Sequence, residues 1–216
     1  MSEVQKHGFT WENYLIRNVY GATDEELKAI KYTSKMDLPS NLNKQNNVDL
    51  SIKTTCSANA VCMADCLRVY DAVSSEKALH MTVVYYKQDD STNTKKLLSI
   101  TEVDLTNSVR LLFGTLTRQQ IEELDRAVKS VPQKQSPTPE QYEAMYSIRN
   151  TLQPLAAAIH LDIKCNSQQS RLQCSFNHFQ QFIKNNPDRI IAQSTTGDFR
   201  GKKVIVEVAS SRRTFN

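Results

Sequence analysis

The spacing of apolar residues along the first half of the chain predicts both helices and strands. Apolar residues three or four positions apart are typical of a helix face, and alternation of apolar and polar residues is typical of a half-buried strand. The near-continuous apolar run at 81–86 is typical of a central strand that is covered on both faces. The predicted elements are a helix capped by Thr10, a short helix after Thr23, a loop over 33–47, a strand over 48–55, a helix over 60–73, and a hairpin of strands over 81–86 and 97–103.

The second half of the chain is predicted to be mostly helical. Thr117 and Thr138 are each followed three residues later by Gln, which is the pattern of a capping box, and Pro139 suits the first position of a helix. Three prolines make 130–139 the best candidate for a linker. The predicted elements are a helix after Thr117, a helix over 139–152 that breaks near Pro154, a helix over 176–184, and strands over 160–164 and 203–208.

These elements predict a fold of the α/β or α+β class, with a central mixed β-sheet flanked by helices. A length of 216 residues allows a single core, so we expect 1–216 to form one domain. No apolar run approaches the roughly 18 residues of a transmembrane helix, and the N-terminus lacks the apolar stretch of a secretory signal. We therefore expect a cytoplasmic protein that does not bind membranes. Its five cysteines are an odd number, which argues against a disulfide framework.

Positive charge is concentrated in the C-terminal quarter of the chain. The net charge is +4, but residues 164–216 carry nine basic and three acidic side chains, which leaves −2 for the first 163 residues. Such an asymmetry favours a polyanionic partner, either DNA or RNA. A solvated charged surface is the alternative interpretation of the same residues.

The candidate catalytic residues lie in the first third of the chain. Asp37 precedes Leu-Pro at a polar loop, and the strand that follows bears Asp49, Ser51 and Lys53 on one face, while Glu12 lies on the first helix. Nucleases that use divalent metals need carboxylates to hold Mg²⁺. They also need a nearby lysine to orient the attacking water and to stabilise the negative charge of the transition state.

The order of these residues resembles the PD-(D/E)XK nuclease superfamily and, within it, the type II restriction endonucleases. Members commonly have a glutamate on a helix, an aspartate at a strand start, and an acidic-x-lysine pair on the next strand. The resemblance covers about residues 8–90 and is carried by Trp11-Glu12, Asp37-Leu-Pro, Ser51-Ile-Lys53-Thr-Thr and Ala64-Asp65-Cys-Leu-Arg68-Val-Tyr.

This chain departs from the family pattern at Ser51, which occupies the acidic position of the pair. Some restriction enzymes with serine at this position supply the missing carboxylate from a helix, which would give that role to Glu12. Asp49, two residues earlier on the same strand face, is the alternative. Asp37 and Asp49 therefore compete for the role of main metal ligand, with Glu12 as a supporting ligand and Lys53 as the lysine that assists the nucleophile.

The resemblance implies an endonuclease that requires Mg²⁺ and hydrolyses phosphodiester bonds of double-stranded DNA at a short specific sequence. Many such enzymes are homodimers, because a palindromic site presents two equivalent strands. We expect a catalytic core over 8–110 and a second part over 111–216 that contributes to DNA recognition and dimerisation. From the basic and polar residues of this second part we expect DNA contacts at Lys164, Arg171, Gln173, Lys202, Lys203, Arg212 and Arg213.

Other interpretations of the sequence remain open. Asp162 and Lys164 form a second acid-x-lysine pair on a predicted strand, although no upstream aspartate accompanies them. A DNA-binding protein without catalytic activity would also explain the basic C-terminal quarter. A structural protein with no nucleic-acid partner would leave the charge asymmetry unexplained.

Overall fold

The computed structural model describes residues 3–29, 36–57, 59–132, 134–166 and 169–209. Within these residues the chain forms seven α-helices, ten strands and a mixed central sheet, which confirms the predicted α+β class. No helix among them has both the length and the apolar character needed to span a membrane. The predicted DNA contacts at Arg212 and Arg213 lie outside the described residues.

The bounds of the elements are as follows. The helices are α1 (Glu3–Asn18), α2 (Asp24–Ala29), α3 (Cys66–Ser74), α4 (Val109–Phe113), α5 (Arg118–Lys129), α6 (Pro139–Leu152) and α7 (Phe179–Asn185). The strands are β1 (Asp49–Thr55), β2 (Val61–Asp65), β3 (Leu79–Asp89), β4 (Thr94–Asp104), β5 (Ile159–Asn166), β6 (Gln169–Phe176), β7 (Ile190–Ser194), β8 (Asp198–Phe199), β9 (Lys202–Lys203) and β10 (Glu207–Ala209).

The chain divides into two compact units that are each built from separate segments. The first unit comprises Met1–Ala58, Lys77–Leu105 and Ile183–Asn216, and the second comprises Asn59–Glu76 and Thr106–Phe182. The division expected from the sequence, with a catalytic core over 8–110, stays a prediction. All five candidate catalytic residues belong to the first unit.

The first unit contains the mixed sheet. Its order is β1-β3-β4, and β7 and β10 pair with different parts of the outer edge of β4. β1 and β3 are parallel, whereas β3 and β4 form the predicted antiparallel hairpin. Residues 79–84 of β3 are all buried, as expected of a central strand.

One face of this sheet is covered by α1. Trp11 and Leu15 of the helix are fully buried and belong to the same apolar cluster as Leu50, Ile52 and Val84. Burying each of these side chains contributes about 1.5–3 kcal/mol. The packing sets the position of α1, and therefore that of the glutamate that follows Trp11.

The second unit combines a three-stranded antiparallel sheet with helices. The sheet has the order β2-β6-β5, and α5 contributes the buried stripe of Ile121, Leu124 and Val128. Both predicted capping boxes are formed, at Thr117 before α5 and at Thr138 before α6. Local chemistry thus determined where these two helices begin.

Several predicted bounds were wrong. α1 begins at Glu3, seven residues before the predicted cap at Thr10. Thr10 therefore lies within the helix and not at its N-terminus, where a capping residue is found. Residues 61–65 form β2 and not the start of a helix, since pairing with β6 outweighs local preference. The helix predicted over 176–184 begins only at Phe179, because residue 176 is still part of β6. The strand predicted over 203–208 is interrupted, with β9 pairing with β8 and β10 pairing with β4.

Candidate active site

The free edge of β1 carries the segment that presents Asp37. β1 has β3 on one side, and on the other side Leu38 makes a single antiparallel bridge with Leu50. The N–H of Leu50 donates to the carbonyl of Leu38 at 2.9 Å, and the N–H groups of Asp37 and Leu38 both donate to the carbonyl of Leu50 at 3.1 Å. Leu38 is fully buried, and the proline after it restricts its backbone to extended conformations. These contacts place Asp37 beside the strand.

The carboxylate of Asp37 brings together three groups of β1. Its Oδ2 accepts hydrogen bonds from Ser51 Oγ at 3.1 Å, from the N–H of Ile52 at 2.7 Å and from Lys53 Nζ at 3.2 Å. Oδ1 receives no hydrogen bond from the described residues. The structure therefore unites the predicted Asp37, Ser51 and Lys53 in one cluster and leaves one carboxylate oxygen able to bind a cation.

Glu12 on α1 lies within electrostatic reach of the same cluster. Burial, with the negative charge of Asp37 as the second cause, raises the pKa of Glu12 from 4.5 to about 7, and the positive charge of Lys53 acts in the opposite direction. Two carboxylates that share a half-buried site repel each other unless a proton or a cation intervenes. The charges of Glu12, Asp37 and Lys53 therefore influence one another, and the role of Glu12 as a supporting ligand stays a prediction.

Asp49 forms different contacts, although it shares a strand face with Ser51 and Lys53. Its Oδ1 accepts the N–H of Ser40 at 2.7 Å, and its Oδ2 pairs with Lys77 Nζ at 2.8 Å. Both carboxylate oxygens of Asp49 are thus engaged by protein donors. Of the two aspartates that competed for the main metal ligand, Asp37 is the one that contacts Lys53.

The donor set of the site fits one hard cation. Among the described residues there is no group of three or more His, Cys, Asp or Glu side chains that would hold a metal by itself. Mg²⁺, however, is commonly held by one or two carboxylates and keeps several waters. The carboxylates of Glu12 and Asp37, with the hydroxyl of Ser51 beside them, are a fitting set of oxygen donors.

Two predicted DNA contacts of the first unit lie next to α1. Lys202 and Lys203 are exposed on the β8–β9 hairpin, where Lys203 also forms an ion pair with Asp198 at 2.7 Å. Tyr14 Oη of α1 donates to the carbonyl of Lys203 at 3.1 Å, and Trp11 Nε1 donates to the carbonyl of residue 205 at 3.0 Å. The helix that carries Glu12 thus also holds the basic segment.

The predicted DNA contacts of the second unit lie on its three-stranded sheet. Lys164 of β5 pairs in register with Arg171 of β6, and Lys164 is exposed. Gln173 is buried, and its amide oxygen, when oriented towards Arg171, accepts from Nε at 3.2 Å and from Nη2 at 2.8 Å. This bond would hold the guanidinium in one orientation.

The rival pair of Asp162 and Lys164 lacks the arrangement seen around Asp37. The carboxylate of Asp162 binds His160 Nδ1 at 2.8 Å and accepts from Ser175 Oγ at 2.7 Å. His160 in turn contacts the guanidinium of Arg149. Asp162 therefore belongs to a chain of polar contacts that links Ser175, Asp162, His160 and Arg149.

Sequence reasoning missed a buried polar network in the first unit. Glu102 of β4 is fully buried and binds Arg200 through both carboxylate oxygens, at 2.5 and 2.7 Å, and His80 Nδ1 at 2.7 Å. Burial alone would raise the pKa of Glu102, but the hydrogen bonds from His80 and Arg200 hold it below its usual value. The sequence signals this network locally only through Glu102, a charged residue between apolar residues of β4. Its partner Arg200 lies 98 residues away in the chain.

Comparison of the chain with known protein families, with curated proteins and with solved structures gives no match. The candidate site comprises Glu12, Asp37, Ser51 and Lys53, which come from a helix, a loop and a strand of the first unit.

Proposed function

We propose that the protein is an endonuclease that uses Mg²⁺ to hydrolyse phosphodiester bonds of double-stranded DNA at a short specific sequence, as type II restriction enzymes do. The observation that carries the proposal is the contact of Lys53 with Asp37 at the edge of β1, with Glu12 of α1 within electrostatic reach of both. These three residues belong to the segments that carry the family resemblance. We expect the enzyme to act in the cytoplasm as a homodimer.

Each side chain of the site has a separate task in this proposal. Glu12 and Asp37 would hold Mg²⁺, which when bound lowers the pKa of water and stabilises negative charge on phosphoryl oxygens. Lys53 donates to Asp37 at 3.2 Å, so its ammonium is held beside the carboxylate and can orient the attacking water. Its positive charge also offsets the charge that develops on the phosphate, in a half-buried site where electrostatic effects are stronger than in water.

Basic residues in each of the two units suit a DNA substrate. Lys202 and Lys203 extend from a hairpin that α1 holds, so phosphate contacts at these lysines would lie near Glu12 in the same unit. Arg171, oriented by Gln173, has the planar fork that reads guanine in the major groove. We therefore assign phosphate binding to the first pair and base reading to Arg171.

Nicking of supercoiled plasmid, with and without Mg²⁺, tests the proposal. The wild-type protein should convert the plasmid to nicked and linear forms only when Mg²⁺ is present. Lys53→Ala should be inactive, whereas Lys87→Ala, which removes an exposed lysine of β3, should cut like the wild type. A folded wild-type protein that cuts no DNA from a sequenced phage genome would refute the proposal.

A second candidate function is that of a DNA-binding protein without catalytic activity, which the basic C-terminal quarter would serve. In such a protein the ion pair between Lys53 and Asp37, at 3.2 Å, would have a purely structural role. Gel retardation over a salt series measures the phosphate contacts of either protein. Salt-dependent DNA binding without Mg²⁺-dependent nicking would establish the second function.

A further inference from the structure

We propose that Asp49 is the positioning residue for Asp37 and that it does not bind the metal. Asp49 holds the segment that carries Asp37 through the backbone N–H of Ser40. The catalytic consequence of this inference rests on the proposed function, whereas its structural part does not.

Among the described residues, backbone pairing at the outer edge of β1 consists of one bridge, between Leu38 and Leu50. In an antiparallel ladder, every second residue directs its N–H towards the neighbouring strand. After Leu38, which forms the bridge with Leu50, the next N–H directed towards β1 is that of Ser40. Pro39 between them has no N–H and cannot contribute a bond. The side chain of Asp49 accepts the N–H of Ser40 at 2.7 Å and thereby extends the pairing by one bond.

Both the backbone and the side chain of Asp49 are held by contacts with the residues before β3. Its own N–H donates to the carbonyl of Ala78 at 3.1 Å, which anchors its backbone to the start of β3. Its second carboxylate oxygen pairs with Lys77 at 2.8 Å, and only 11% of the Asp49 side chain is exposed, against 58% for Lys77. A cation at Asp49 would have to compete with these donors, because each carboxylate oxygen already accepts from one of them.

Only two residues, both conformationally restricted, separate Ser40 from Asp37. Ser40 connects to Asp37 through Pro39, whose φ is fixed by its ring, and through Leu38, which is fully buried. Loss of the bond to Asp49 would free Ser40 and let the Asp37 carboxylate move from the N–H of Ile52, which it accepts at 2.7 Å. Small displacements of this kind reduce catalysis strongly, because reacting groups must be closely aligned.

The test uses the full-length chain and compares Asp49→Asn with Asp49→Ala. Asp37→Asn is the control for loss of a metal ligand, and Lys77→Met is the control for loss of the ion pair with Asp49. Amide proton and nitrogen shifts of Ile52 report whether Asp37 still accepts its N–H, and calorimetry measures Mg²⁺ binding. An asparagine at position 49 keeps an oxygen for the Ser40 N–H, so Asp49→Asn should retain the Ile52 shift, Mg²⁺ affinity and most of the cleavage rate.

Asp49→Ala removes the acceptor and should move the Ile52 amide shift and lower kcat by about 10–100-fold with KM for DNA little changed. Lys77→Met should resemble the wild type in all three measurements. Loss of Mg²⁺ affinity in Asp49→Asn equal to that in Asp37→Asn would overturn the inference and make Asp49 a ligand. An unchanged Ile52 shift in Asp49→Ala would overturn it as well. If the wild type neither cuts DNA nor binds Mg²⁺, the proposed function fails, and the amide shifts still decide whether Asp49 positions Asp37.

Discussion

The raised pKa of Glu12 predicts that this residue makes the metal-free protein less stable at neutral pH than at acidic pH. In the folded protein, burial and then the charge of Asp37 raise the pKa of Glu12 to about 7, whereas in the unfolded chain it returns to 4.5. Below pH 4.5 the carboxyl is neutral in both states and does not affect folding. Between pH 4.5 and 7 the folded protein retains a proton that the unfolded chain has lost, so the free energy of unfolding decreases as the pH rises.

The size of this change in the free energy of unfolding follows from the difference between the pKa of Glu12 in the folded protein and in the unfolded chain. Each pH unit between 4.5 and about 7 contributes about 1.4 kcal/mol, so the full effect is about 3 kcal/mol and is reached above pH 7. Glu12→Gln removes the ionisable group but keeps the shape of the neutral side chain. It should therefore stabilise the metal-free protein by up to about 3 kcal/mol at pH 8 and should change it little at pH 4.5.

Urea unfolding in the presence of a chelator, at several pH values between 4.5 and 8, measures this difference between variant and wild type. Glu25→Gln, which changes an exposed glutamate of α2, is the matched control and should show no such pH dependence. Added Mg²⁺ should stabilise the wild type more at pH 8 than at pH 5, because ionised Glu12 is the form that binds metal. If Glu12→Gln lowers stability at pH 8, or if its effect is the same at both ends of the range, Glu12 is not the buried carboxyl described above.

Four further variants test the remaining features. Lys53→Ala should abolish Mg²⁺-dependent cleavage and leave specific DNA binding nearly intact in gel retardation; a folded variant that cuts at the wild-type rate would remove Lys53 from the active site. Ser51→Asp combined with Glu12→Gln should recover part of the activity that Glu12→Gln loses, because it returns a carboxylate to the side of Asp37; no recovery would argue against Glu12 as a ligand. Arg171→Ala should weaken binding to the cognate site by about 1–3 kcal/mol and relax specificity; unchanged discrimination with a lower melting temperature would show that Arg171 is structural. Arg200→Met should lower the free energy of unfolding by about 3–5 kcal/mol, because the buried carboxylate of Glu102 loses two hydrogen bonds from a charged donor and keeps those from His80 and Tyr20; a loss well below this range would contradict the buried pair.

Local sequence features predicted much of the secondary structure. The starts of α5 and α6 follow from the side chains of Thr117 and Thr138, which satisfy N–H groups only three residues away. The apolar run that became β3 and the alternation that became β1 were also readable, because burial on two faces or on one face leaves a distinct pattern. Strand β2 was missed, since its stability comes from β6, more than a hundred residues further along the chain.

The candidate site was predictable in its residue types but not in its contacts. Alternation along a strand put Asp49, Ser51 and Lys53 on one face, and this is a property of the extended backbone alone. Which aspartate contacts the lysine depends on the bridge between Leu38 and Leu50, which brings the loop of Asp37 to the strand edge. The same bridge leaves Asp49 to bind Ser40 and Lys77 instead.

The sequence by itself therefore determined the fold class, the positions of several helices and of four strands, and the set of polar residues from which a site can be built. These depend on interactions between residues close in the chain, where spacing and capping chemistry decide. Tertiary structure alone decided the contacts of Asp49, the raised pKa of Glu12 and the burial of Glu102 with Arg200. Each of these depends on groups distant in sequence that packing brings within a few ångströms, because hydrogen bonding and desolvation act only at such distances.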